Sequence, residues 1–108
     1  MPKKADHQTE RETIDQFDQI VNIGRAMTGD FERLGLLHPR DLIGNDALEL
    51  YRKICEADQT FHDPCVLDTY MATIDYMNGN PPQPWWKFTG LRKRRFEKDV
   101  QELRQTYA

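Results

Sequence analysis

The 108-residue chain contains no serine and only two cysteines. It therefore has no serine nucleophile, and two thiols are too few for the disulfide scaffold that many small secreted domains use. No apolar run approaches the roughly 18 residues that a membrane-spanning helix needs. The polar first residues are not followed by the apolar segment of a secretory signal. We therefore expect a cytoplasmic protein with reduced thiols and no membrane partner.

Recognisable catalytic motifs are also missing from the sequence. It has no glycine-rich phosphate loop and no His-Glu-x-x-His pattern that would place metal ligands on a helix. His62, Asp63 and Asp68 lie close together in the sequence, but Asp63 is better explained as a helix cap. We expect no enzymatic activity, no metal centre and no cofactor.

Charge is distributed unevenly along the chain. Residues 1–86 carry 8 Lys/Arg and 15 Asp/Glu, a net charge of −7, whereas residues 87–108 carry 7 and 3, a net charge of +4. Attraction to a polyanion must therefore come from the C-terminal end, because the remainder repels it at long range.

Apolar residues recur at helical spacing along most of the chain, and no segment alternates as a strand does. We expect a flexible segment over residues 1–11 and one compact all-α domain of about five helices over residues 12–108. The helices are predicted from about Glu12 to Ile20, from about Arg25 to Leu34 with Gly35 as C-terminal cap, from an Asn45 or Asp46 cap to a loop at 58–62, from an Asp63 cap with Pro64 in the first turn to Met77, and from a Thr89 cap to about Tyr107.

The junction between the first two predicted helices is the main functional clue. Asn22 and Gly24 are residue types that accept positive φ, so the chain is predicted to reverse direction here. A tight turn that opens a helix leaves backbone amides unpaired, and such amides can hold a phosphate. In the nucleic-acid-binding interpretation, the amides around Ile23 and Gly24 hold a phosphate that Arg25 and Thr28 also reach. In the alternative interpretation the turn is purely structural.

These residues carry a resemblance to a known family. Asn22-Ile23-Gly24, Leu34-Gly35-Leu36 and Asp41-Leu42 resemble the helix-hairpin-helix segment that the pathogenicity-locus, or mitomycin-resistance-like, proteins share with the C-terminal domain of the competence regulator TfoX. The first family is the nearer match, since its later landmarks also agree. The resemblance covers about residues 14–94 and implies a compact helical fold with a helix-hairpin-helix unit and an association with DNA. The later landmarks are Leu50-Tyr51 with Cys55, His62-Asp63-Pro64-Cys65-Val66-Leu67-Asp68, and Pro84-Trp85-Trp86-Lys87-Phe88-Thr89.

An aromatic and basic segment follows the proline-rich stretch near residue 80. Trp85-Trp86-Lys87-Phe88 leads into four consecutive cations, Arg92-Lys93-Arg94-Arg95. Aromatic side chains beside cations can stack nucleobases while the cations hold phosphates. Alternatively, the tryptophans clamp the proline-rich loop against the core, and the cations are the solvated start of a helix. If nucleic acid binds, we expect this run to make much of the contact.

Cys55, His62 and Cys65 form a third group with several interpretations. Two cysteines and a histidine are zinc ligands in principle, but the spacing lacks a Cys-x-x-Cys pair and an obvious fourth ligand. Cys65 near a helix start is a candidate reactive thiol, and the two cysteines are candidates for a regulatory disulfide if they lie together. The structural interpretation is that Cys55 packs in the core while His62 stabilises a loop.

We therefore predict a non-catalytic helix-hairpin-helix protein that associates weakly with DNA, without sequence preference. The DNA-binding residues are predicted to be Asn22, Ile23, Gly24, Arg25, Thr28, Arg92, Lys93, Arg94 and Arg95. The alternative is a protein–protein adaptor that binds a partner, or a second copy of itself, through an apolar groove near the tryptophans and the last helix. In that interpretation, the apolar stripe of the last helix comprises Phe96, Val100, Leu103 and Tyr107.

Overall fold

The computed structural model describes residues 4–108, and these contain four α-helices, four short 3-10 turns and no β-strand. The all-α prediction is confirmed, with four α-helices where about five were expected. None of the helices in the described part of the chain is long and apolar enough to cross a membrane. The helices are α1 (Arg25–Arg33), α2 (Ala47–Asp58), α3 (Cys65–Met77) and α4 (Thr89–Tyr107), and the 3-10 turns are Arg11–Thr13, Phe17–Gln19, Pro39–Leu42 and Trp85–Phe88.

Helix α3 is the centre of the core, because ten of its 13 residues are buried. The ring of Tyr70 on this helix packs 5.3 Å from the ring of Phe31 on α1, and Phe31 in turn packs 5.1 Å from Phe17. The apolar stripe of α4 faces the same core: Val100 is fully buried, and its neighbours along the stripe pack against the cluster. This stripe therefore covers the domain's own interior.

The predicted helix ends agree with the structure in three places. The Asp46 carboxylate accepts a 3.1 Å hydrogen bond from the Glu49 amide at the start of α2, and the Asp63 carboxylate accepts a 2.8 Å bond from the Cys65 amide at the start of α3. Gly35, with φ of 87°, ends α1 as predicted. Such ends were predictable because each depends on residues within one turn of the chain.

The predicted cap of the last helix was wrong. Thr89 is the first residue of α4, and Phe88 occupies the cap position without a capping side chain. The Thr89 hydroxyl instead donates a 2.7 Å hydrogen bond to the Asp68 carboxylate on α3. The Thr89 hydroxyl therefore binds a distant carboxylate instead of capping the backbone amides of its own helix.

The helix predicted over residues 12–20 was also wrong. This segment forms two 3-10 turns separated by extended residues, so α1 is preceded by a turn rather than by an α-helix. Ile14, Phe17 and Ile20 are all buried at a spacing of three, which is the period of a 3-10 helix. The Gln19 side-chain oxygen accepts bonds of 3.0 and 2.8 Å from two backbone amides, at Asp15 and Gln16, which competes with an α-helical ladder. The predicted helix-hairpin-helix unit is therefore not confirmed.

The segment expected to be flexible over residues 1–11 is described from residue 4 onward, and several of its residues contact the domain. The Ala5 amide donates to the Gln19 carbonyl over 2.6 Å, and the Tyr76 hydroxyl donates to the Asp6 carbonyl over 2.9 Å. The Arg11 guanidinium lies 3.8 Å from the centre of the Tyr76 ring and also donates to the Tyr76 carbonyl. These contacts attach the N-terminal segment to α3 and to the 3-10 turn Phe17–Gln19.

Candidate nucleic-acid interface

The chain reverses direction just before α1, over residues 20–25, which we call the turn segment. Asn22 has a positive φ of 75°, as its residue type allows, and its conformation makes the reversal. Gly24 is extended, and a Cβ at this position would meet no atom within 4 Å. Ile23 is only 1% exposed, and its amide donates to the Ile20 carbonyl over 3.1 Å. The prediction that the Ile23 amide holds a phosphate is therefore wrong.

The start of α1 provides the donors that Ile23 does not. The first amides of an α-helix have no intrahelical acceptor, and Gly24 has no side chain with which to cap them. The first turn contains no acidic residue, and Gly24, Arg25 and Ala26 are exposed. Within residues 4–108, Arg25 forms no ion pair. This end of α1 therefore presents free amides, the positive end of the helix dipole and one cation.

Lys4 holds the carbonyl side of the turn segment. Its ammonium donates three hydrogen bonds, over 2.6 Å to the Asp18 carbonyl, 3.2 Å to the Ile20 carbonyl and 2.6 Å to the Ile23 carbonyl. An ammonium has three protons, so this arrangement uses all of them. The carbonyls of Asp18, Ile20 and Ile23 therefore point toward the Lys4 ammonium, while the residues at the start of α1 are exposed to solvent.

Thr28 lies on an unfavourable side of α1 for an anion. Its hydroxyl already donates a 2.8 Å hydrogen bond to the Gly24 carbonyl. It also lines a cavity of about 240 Å³ together with the carboxylates of Asp15 and Glu32. A phosphate on this side of the helix would meet two negative charges, so the anion-binding part of α1 is the side that carries Arg25.

A long-range hydrogen bond connects the turn segment to the aromatic region. The side-chain amide of Asn22 donates to the Gln83 carbonyl over 2.9 Å, across 61 positions of the sequence. Gln83 is followed by Pro84 and then by the 3-10 turn Trp85–Phe88, which we call the aromatic turn. The start of α1 and the aromatic turn therefore lie on adjoining parts of one surface.

The predicted basic run does not act as four equivalent cations. Arg92 is 8% exposed, and its guanidinium donates to the Asp68 carboxylate over 2.7 Å. Because Arg92 is buried and paired, it is not available to contact DNA, and the prediction for this residue is corrected. Lys93, Arg94 and Arg95 are exposed and form no ion pair within the described chain. A Cβ built at Gly90 would lie 3.4 Å from the Arg94 guanidinium, so this cation folds back over the first turn of α4, beside the aromatic turn.

Comparison with known proteins agrees with the resemblance drawn from the sequence. The chain matches the family described as Cdd1, pathogenicity locus, over residues 10–94. The chain belongs to the pathogenicity-locus family. It is also 41% identical over 75 residues to the mitomycin resistance protein McrB of Streptomyces lavendulae, an alignment that covers 69% of this chain and 71% of that protein. No solved structure matches the chain.

Two of the later landmarks on which the resemblance was drawn are distant in this sequence but meet in its fold. Asp68 ends the landmark at residues 62–68, and Thr89 ends the landmark at residues 84–89. Their side chains are joined by a hydrogen bond, and Arg92 completes a buried cluster with Asp68. The cluster fixes the start of α4 against α3 and so determines where the aromatic turn and the exposed cations lie.

The two thiols of this pathogenicity-locus protein are free and weakly acidic. Burial raises the pKa of the Cys55 thiol. Burial and a hydrogen bond with the Asp63 carboxylate raise the pKa of Cys65 to about 11, which opposes a reactive-thiol role. His62 pairs with Asp58 over 2.6 Å. Among residues 4–108, no three His, Cys, Asp or Glu side chains converge as metal ligands, so the zinc interpretation gains no support.

Three contacts that shape this surface were missed by sequence reasoning. They are the Lys4 ammonium on the turn carbonyls, the Asn22–Gln83 hydrogen bond and the Asp68–Arg92 ion pair. Only the last left a signal in the sequence, because an aspartate among the apolar positions of α3 needs a buried partner.

Proposed function

We propose that this chain is a non-catalytic protein that associates weakly with DNA, without sequence preference, through the start of α1 and the exposed cations Lys93, Arg94 and Arg95. The observation that carries the proposal is the Asn22–Gln83 hydrogen bond, because it joins the uncapped start of α1 to the segment that leads to those cations. Amides and cations of this kind bind phosphate oxygens and do not read bases.

The charge distribution supports weak binding of DNA with the C-terminal end of the chain facing the DNA. The net charge of −7 over residues 1–86 opposes the approach of DNA, and the cavity lined by Asp15 and Glu32 adds local repulsion beside Thr28. The cations of residues 87–108 therefore have to supply most of the attraction. The affinity of such binding should fall as the salt concentration rises, with a slope set by the number of phosphate contacts.

The proposal is tested by fluorescence anisotropy with two duplexes of unrelated sequence, at about 50 and 200 mM salt. We expect similar affinity for both duplexes. Changing Lys93, Arg94 and Arg95 together to glutamine should weaken binding and lower the salt slope by about 2–3, since each lost phosphate contact removes about 0.9. Arg92 is kept, because its removal would leave Asp68 unpaired in the interior. Lys53→Gln, at an exposed position of α2, is the matched control.

A second arm tests the direction of the electrostatic effect. Glu32→Gln should tighten DNA binding at low salt and have little effect at high salt, because it removes a repulsive charge from α1. Glu56→Gln, an exposed position on α2, is the control. Absence of binding to either duplex at about 50 mM salt would refute the proposed function.

An adaptor function is a second candidate, favoured by a groove beside α4. This groove has a volume of about 230 Å³, with Phe88 and Leu91 in its lining and Arg95 and Asp75 among its polar residues. It suits an apolar side chain of a partner. If a second copy is the partner, sedimentation at high concentration should detect a dimer that Leu91→Gln weakens. Unfolding curves for that variant would control for lost stability.

A further inference from the structure

Trp86 is a large apolar residue that the fold leaves exposed to solvent. Its side chain is 60% exposed, and the other large apolar residues exposed in the described chain are Leu37 and Ile43. The sequence left open whether the tryptophans clamp the proline-rich loop. Trp85 is half-buried, whereas Trp86 is exposed. Tryptophan is enriched at binding interfaces, where its large apolar ring contacts a partner.

The Trp86 ring is held in a defined position. It packs edge to face on Trp85, with ring centres 5.8 Å apart and planes at 85°. The backbone around it is fixed at both ends, because the Lys87 amide donates to the Pro84 carbonyl and the Thr89 amide donates to the Trp86 carbonyl. Pro84 itself has a restricted φ. A ligand that stacks on this indole therefore has little conformational entropy to remove.

Segments adjacent to the aromatic turn carry exposed cations. Lys87 follows it directly and is exposed, and the Arg94 guanidinium lies over the first turn of α4, immediately after the aromatic turn. The Asn22–Gln83 hydrogen bond joins the turn segment, which includes Arg25, to the loop that precedes the aromatic turn. An exposed aromatic face bordered by phosphate-binding groups is the arrangement that single-strand-binding surfaces use.

We propose that Trp86 is a stacking site for an unpaired base of DNA, so that the protein prefers single-stranded to duplex DNA. This inference rests on the proposed function, since Lys87, Arg94 and the start of α1 would hold the phosphates on either side of the stacked base. In a duplex both faces of each internal base are covered by its neighbours, and stacking on Trp86 would require the base to leave the helix. A single strand offers the same phosphates with free base faces.

The test compares a 12-nucleotide oligothymidylate with a 12-base-pair duplex by fluorescence anisotropy at about 50 mM salt. We expect Trp86→Ala to weaken binding of the single strand by about 5- to 150-fold, the range for loss of one base–aromatic stack. Binding of the duplex should change by less than about 2-fold, because phosphate contacts are retained. Leu37→Ala, which removes another exposed apolar side chain, is the control and should affect neither ligand.

A spectroscopic measurement separates stacking from an indirect effect. The chain has two tryptophans, so Trp85→Phe leaves Trp86 as the sole indole. Addition of oligothymidylate should quench its fluorescence, and Trp86→Phe should retain part of the affinity that Trp86→Ala loses. Circular dichroism of each variant verifies that it is folded.

The outcomes distinguish this inference from the proposed function. Duplex binding that depends on Lys93, Arg94 and Arg95, combined with no effect of Trp86→Ala on either ligand, would overturn the stacking site alone. Equal losses for single strand and duplex would also overturn it. Absence of binding to both ligands would overturn the proposed function and the stacking site together, and tighter binding of an oligouridylate than of the oligothymidylate would reassign the ligand to RNA.

Discussion

The guanidinium of Arg92 donates to the carboxylate of Asp68 over 2.7 Å in the interior between α3 and α4. The same carboxylate accepts a hydrogen bond from Thr89, so its two oxygens are both occupied. Burial of this pair removes one cation from the predicted basic run and fixes the direction in which the other three leave the domain. A single ion pair therefore connects the packing of the fold to the charge of its surface.

Removal of one member of this pair should destabilise the protein strongly. We expect Arg92→Met to lower the free energy of unfolding by about 3–5 kcal/mol, because it leaves the Asp68 charge buried without a partner. The double variant with Asp68→Leu should regain much of that loss. Urea unfolding of both variants measures the difference. Equal stability of Arg92→Met and wild type would contradict the description of the pair as buried and coupled.

Loss of the Lys4 ammonium should loosen the turn segment. We expect Lys4→Met to lower the free energy of unfolding by about 1.5 kcal/mol, the lower end for hydrogen bonds to a charged group, because the site is partly exposed. Amide hydrogen exchange should accelerate at Ile20 and Ile23 more than in α3. Lys53→Met, an exposed cation on α2, serves as control. Unchanged exchange in the turn would show that Lys4 does not hold it.

The carboxylate of Asp58 should influence stability at acid pH. Hydrogen bonds from Arg33, which has the larger effect, and from His62 lower the pKa of Asp58 from 3.8 to about 2. The folded pKa lies below the unfolded value, so the stabilising contribution is complete above about pH 4 and is lost as the pH falls through about 2. Arg33→Gln should raise the pKa of Asp58 in an NMR titration and remove part of this pH dependence. An unchanged Asp58 titration in that variant would contradict the assigned cause.

The Cys65 thiol should react slowly with alkylating reagents. A pKa of about 11 leaves very little thiolate at neutral pH, so iodoacetamide should label Cys65 more than about 100-fold slower than a free cysteine with a pKa near 8.5. Asp63→Asn should accelerate labelling, since the Asp63 carboxylate contributes to the raised pKa. Mass spectrometry of the labelled peptide measures both rates. A rate equal to that of free cysteine would restore a reactive-thiol role.

The elements that sequence reasoning predicted correctly depend on neighbours along the chain. The caps at Asp46 and Asp63 and the left-handed end of α1 at Gly35 each satisfy backbone groups within one turn. The left-handed conformation at Asn22 follows from its residue type in the same way. The prediction of a helix over residues 12–20 was wrong because a spacing of three fits both the α and the 3-10 period. The Gln19 side chain accepts hydrogen bonds from backbone amides and so favours the 3-10 turns.

By itself, the sequence determined an all-α domain, a reversal at Asn22, the family and the separation of charge between the two ends of the chain. Only the tertiary structure decided which of the candidate residues are available to a ligand. Ile23 and Arg92 entered the interior, whereas Trp86, Arg25 and Arg94 remained at the surface. The physical reason is that burial and pairing depend on contacts such as Asn22–Gln83 and Asp68–Arg92, which join residues 61 and 24 positions apart, and local periodicity does not identify the partner of either residue.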